Sequence, residues 1–133
     1  MVYFYLHFDM GITENILGIL LFVVVNAVYD FKKISAGTPI NHRKEGLVQF
    51  TICAAFGMVC TTGVWSRIFL ACLNLSIHFL IFDYLLNYLR GKKWFYLGSN
   101  FFDTILKGFN LRYYRLALKV LFVLIFSTLL IIS

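Results

Sequence analysis

Four apolar runs, each close to the length of a bilayer crossing, constrain this chain more than any other feature. A helix needs roughly 20 mostly apolar residues to cross a membrane, with a working range of about 17–25. The runs cover about 13–31, 47–64, 65–89 and 116–132. They account for a composition that is 61% hydrophobic and 14% charged, against about 45–50% and about 25% in soluble domains. The expected fold is all-α: one integral membrane domain over 1–133, a four-helix transmembrane bundle. Gly63, Val64, Trp65 and Ser66 are the only turn material between spans two and three, which predicts a tight hairpin there. In span one Thr13 is placed as N-cap, and Glu14 favours the positive end of the helix dipole.

The charges follow the spans. Of twelve Lys and Arg residues, Lys32, Lys33, Arg43 and Lys44 fall in the first connection, 32–46. Arg90, Lys92, Lys93, Lys107, Arg112, Arg115 and Lys119 fall in or beside the second, 90–115. Arg67 alone falls at the hairpin. Eleven positive charges on one side make that side cytoplasmic by the positive-inside rule, with both termini outside, as in a bacterial inner membrane. The net charge of +6 thus reports orientation and contact with anionic headgroups rather than nucleic-acid binding. Lys119, near the start of span four, is placed to snorkel.

Residues 100–115 interleave Phe101, Phe102, Ile105, Leu106, Phe109 and Leu111 with Asp103, Lys107 and Arg112, the pattern of an amphipathic cytoplasmic segment before span four. The aromatic N-terminus, with Tyr3, Phe4, Tyr5 and Phe8, reads as an interfacial anchor. Cys53, Cys60 and Cys72 are odd in number and embedded in apolar runs, so they read as small hydrophobes rather than a disulfide framework. Phosphate-loop, dinucleotide-binding and nucleophile-elbow patterns are absent.

Polar residues at membrane depth are costly, and therefore functional candidates. Asn26 and Asp30 lie four apart near the cytoplasmic end of span one. Asp83 and Asn87 do the same in span three, with Arg90 continuing their stripe. If spans one and three are neighbours, Asp30, His42 and Asp83 could form a divalent-metal or polar site flanked by Arg43 and Lys44. The alternative is structural pairing of both carboxylates with Lys32, Lys33 or Arg90. Asn74 and His78 form another i, i+4 pair, but His78 lies about 140° around the helix from Asp83. An interhelical hydrogen bond is the expected role of His78. Gly57, Ala54 and Ala55 offer a small-residue surface for close helix approach.

The motif Phe82-Asp83-x3-Asn87-x2-Arg90-Gly91-x2-Trp94-x-Tyr96-x-Gly98 resembles small uncharacterised polytopic membrane proteins of Bacteroidetes and their phages. The segment His42-Arg43-Lys44, with His78 and Asp83, is faintly similar to membrane-bound metal-dependent hydrolases of the YdjM type. Here Glu45-Gly46-Leu47 stands where their second histidine would follow, and His78 and Asp83 are five apart instead of four. Two functions follow from the residues. One is a non-catalytic accessory subunit or lipid-associated protein without a cofactor, whose partners are the bilayer, anionic lipids and other membrane subunits or itself. The other is a metal-assisted hydrolase or transferase acting on a phospholipid-like headgroup, with Asp30, His42 and Asp83 as ligands.

Overall fold

The computed structural model describes residues 11–60, 63–94 and 112–133, without the side chains of His42, Arg43, Arg112 and Tyr113. Four helices make up the described chain: α1 (Ile12–Ser35), α2 (His42–Val59), α3 (Val64–Leu89) and α4 (Arg112–Ile132). Three stretches are long and apolar enough to cross a membrane: Ile12–Ser35, Val64–Leu89 and Tyr114–Ile132. The 26 residues of α3 extend about 39 Å, more than the ~30 Å hydrocarbon layer. The shorter α2, 18 residues, opens with His42, Arg43, Lys44 and Glu45. Its apolar part therefore begins at Leu47, and α2, where the second span was expected over 47–64, is not among the three.

Contacts at both ends of each pair set the topology. Lys33 and Glu45 pair at 2.7 Å where α1 ends and α2 begins. At the opposite end Asn15 of α1 donates to the Phe56 carbonyl of α2 at 2.8 Å. The α2 helix thus returns alongside α1. Similarly, Ser66 and Ser133 join their hydroxyls at 3.1 Å at one end of the α3–α4 pair, while Asp83 meets Arg115 and Lys119 towards the other. The result is an up-down-up-down four-helix bundle. Its centre is α3, which packs on all three other helices; α4 packs on α3 alone among the described residues.

Local sequence explains the helix ends. At Gly37 (φ +69°) and Gly91 (φ +62°) the backbone is left-handed, a conformation open to glycine without a Cβ penalty. Thr38 N–H reaches back to the Lys33 carbonyl at 2.9 Å, and Lys92 N–H to the Asn87 carbonyl at 2.9 Å. Both ends are Schellman motifs, which satisfy carbonyls the helix leaves open. Pro39 then prevents α1 from resuming, and Asn41 caps α2 by accepting from Lys44 N–H at 3.2 Å. The first connection is consequently 36–41, shorter than the 32–46 expected. The hairpin is also displaced. Gly63 is the N-cap of α3, so Val64, Trp65 and Ser66 belong to the helix, and α2 has already ended at Val59 with Cys60 as its C-cap. Thr13 does not cap α1: Gly11 does, and it provides no side-chain cap bond.

Ile19, Val23 and Cys53 form the buried centre, with Phe22, Phe56, Leu75, Ile77, Ile81 and Phe82 packed around them. Where α2 crosses α3, Gly57 lies against the backbone of Ala71; a Cβ there would fall 2.4 Å from the Ala71 nitrogen. Of the small residues expected to offer a close-packing surface, Gly57 makes this close approach, whereas Ala55 is exposed. All three cysteines are free, Cys53 buried and the others half-buried. The expected amphipathic segment and N-terminal anchor fall mainly in 95–111 and 1–10, outside the described residues.

Candidate functional site

The polar side chains of the bundle are distributed along α3, and each of three points to a different neighbour. Asn74 donates to the Cys53 carbonyl of α2 at 3.4 Å. One turn on, His78 meets the Asn26 amide of α1 at 3.4 Å. Asp83, five residues later, receives Arg115 and, at 2.5 Å, Lys119 of α4. The rotation of about 140° between His78 and Asp83 makes this division possible, because the two side chains leave α3 towards opposite flanks.

His78 is fully buried, and its ring stacks on Phe82 at 5.1 Å and tilts against Phe22 at 5.6 Å. The Asn26 amide and His78 Nε2 share one hydrogen bond between α1 and α3, and its direction follows the imidazole tautomer. Among the described residues Nδ1 has no hydrogen-bond partner, and neither do the side-chain oxygens of Asn74 and Asn15. The interhelical role expected for His78 is present, with Asn26 as its partner.

Asp83 has a different partner set from those expected. Its ion pairs come from two cations of α4 rather than from Lys32, Lys33 or Arg90. Lys119 does not snorkel. Its ammonium turns inward to Asp83 and to the Phe79 carbonyl, leaving the side chain 14% exposed. The physical reason is that the Asp83 carboxylate lies on the adjacent helix face, and two charges drawn away from water are tolerated together far better than either would be alone. Lys33, for its part, is engaged by Glu45 and lies over the Tyr29 ring at 4.4 Å.

Asp30 is buried, 4% exposed, on the α1 face that also carries Asn15, Ile19, Val23 and Ala27. Spans one and three are neighbours, as the candidate metal site requires. Among the described residues no three His, Cys, Asp or Glu side chains gather as a metal-holding group; the His42 and Arg43 side chains lie outside them. Asn87 donates to the Trp94 carbonyl at 3.4 Å and so helps fold the turn after α3. Lys44, Lys92 and Lys93 are exposed, and Lys32 with them; Arg112 opens α4 at the same end of the bundle.

Asn15 is a polar core residue absent from the sequence-level candidates. Its amide donates to the Phe56 carbonyl and to Cys60 Sγ, at 2.8 and 3.0 Å, and it is fully buried. A signal for it exists: Asn15, Asn26 and Asp30 fall within about 60° on one helical face. No family model, curated protein or solved structure matches the chain.

Proposed function

We propose that this protein is a non-catalytic accessory subunit of a membrane complex, oriented with its basic end in the cytoplasm and both termini outside. The observation that carries this reading is the commitment of Asn74, His78 and Asp83 to three different helix partners. Polar groups of this kind assemble a bundle, and Asp83 is already occupied by two cations. The broad apolar surface fits the same role. Val48, Phe50 and Val59 of α2 and Leu121, Phe122 and Leu124 of α4 are all at least half exposed, as faces meeting lipid or another subunit must be. The charge distribution supports the orientation. Ten of the twelve Lys and Arg residues lie at the end of the bundle where 36–41 and 90–94 turn, and Arg67 lies at the other.

The test is purification in mild detergent followed by native electrophoresis and compositional analysis. The expected result is comigration with a larger membrane assembly at fixed stoichiometry. A stable monomer that hydrolyses a phospholipid headgroup, with activity lost in Asp30→Asn, would replace this reading with the metal-assisted hydrolase. Cysteine labelling from the two sides of the membrane tests orientation: positions 92 and 93 should be shielded in intact cells, and position 133 accessible.

A further inference from the structure

We propose that the groove between α3 and α4 holds one anionic phospholipid, with an acyl chain in the groove and the headgroup at Lys92 and Lys93. The groove has a volume of about 520 Å³, formed by Leu80, Tyr84, Leu85 and Tyr88 of α3, Leu116 of α4 and Trp94. That volume is in the range of ligand pockets, about 300–1,000 Å³.

The distribution of polarity selects an amphiphile over a soluble ligand. The walls are aliphatic and aromatic, and polar atoms are confined to the ends of tyrosine and tryptophan side chains. Tyr88 and Trp94 are 67% and 65% exposed, at the end where α3 reaches the basic turn. Amphipathic rings at this level are the usual boundary between hydrocarbon and headgroup. An acyl chain suits the interior, and a charged head suits the rim.

Charge selects the sign of the head. Over residues 80–94 and 114–119, the stretches of chain that flank the groove, the sequence contains five cations, Arg90, Lys92, Lys93, Arg115 and Lys119, and a single acid, Asp83; the lining itself is uncharged. Asp83 is held between Arg115 and Lys119. The exposed Lys92 and Lys93 immediately precede Trp94, so the positive surplus stands beside the mouth of the groove. Each lysine near an anionic surface is worth about a fivefold change in binding.

This proposal rests on the membrane reading above and adds a defined site to it. Native mass spectrometry of the full chain in detergent, with phosphatidylglycerol and phosphatidylcholine of matched acyl chains as probes, tests it. The wild type should retain one phosphatidylglycerol in preference to phosphatidylcholine. The double variant Lys92→Gln/Lys93→Gln, which changes only exposed side chains, should lose about fivefold or more of that preference. Leu116→Trp, which fills the groove, should retain neither lipid. Equal retention of the two lipids by the wild type would overturn the proposal, as would a preference that survives Leu116→Trp in a folded chain. Loss of a dimer in Leu116→Trp, with lipid retention unchanged, would assign the groove to a second copy and overturn it equally. Release of the chain from membranes by carbonate alone would instead overturn the membrane reading; a chain that stays in the membrane and holds no phosphatidylglycerol overturns only this site.

Discussion

Lys119 of α4 donates to the Asp83 carboxylate of α3 at 2.5 Å, and with Arg115 it fastens α4 to the rest of the bundle. Asp83 lies six residues before the end of α3, about 9 Å along the axis. At that depth an unpaired charge is costly, so the value of the contact lies mainly in what its removal leaves behind.

Replacing Asp83 with Leu leaves two cations at the α3–α4 interface and should weaken α4 docking by about 3 kcal/mol. The reporter is a disulfide between cysteines placed at Ser66 and Ser133, whose hydroxyls meet at 3.1 Å, in a chain lacking Cys60 and Cys72. Cross-linking should fall in Asp83→Leu and recover when Arg115 and Lys119 are also made Leu. Failure to recover would assign the effect to something other than the unpaired cations.

At the α2–α3 crossing, Gly57→Ala should destabilise the protein by about 1–3 kcal/mol, because the added methyl meets Ala71 backbone that cannot move independently of its helix. At Gly46, in the same helix, a Cβ would meet nothing within 4 Å. Gly46→Ala should therefore stabilise α2 by up to ~1 kcal/mol through helix propensity. Unfolding in denaturing detergent would display the opposite signs of the two changes.

The Asn26–His78 contact predicts a coupling of about 0.6 kcal/mol, and no more than ~1.7, in a double-mutant cycle built from Asn26→Leu and His78→Phe. Phe preserves the stack on Phe82 and Phe22, so the cycle isolates the hydrogen bond. A coupling near zero would show that the contact holds no energy in the membrane.

The turn after α3 depends on Gly91 at φ +62°. Gly91→Ala should cost about 1 kcal/mol by forcing a Cβ into the left-handed region, and it should leave the α1–α2 end of the bundle unaffected. Hydrogen exchange at Lys92 N–H, which closes the Schellman bond to Asn87, would register the change locally.

Much of this architecture is legible from residue order. Four apolar runs predict four helices, of which three are long and apolar enough to cross a membrane, Gly37, Pro39 and Asn41 mark where α1 stops and α2 begins, and the lopsided placement of Lys and Arg predicts a basic end. These features are local, or depend on spacing along one helix, so one dimension suffices to read them. The close packing surface at Gly57 and the divergence of His78 from Asp83 are legible for the same reason.

Which helix each polar face meets is decided only by tertiary packing. A wheel places Asp83 on a face, but it does not say that α4 lies there; spacing alone groups Asp83 with Asp30 and His42, whereas its ion-pair partners are Arg115 and Lys119. In sequence Lys119 is free to reach the membrane surface, because the competing carboxylate, one helix away in space, is 36 residues distant along the chain. Asn15 finds its partners across 41 and 45 residues. Periodicity determines which side of a helix must be satisfied; the arrangement of helices around α3 determines what satisfies it.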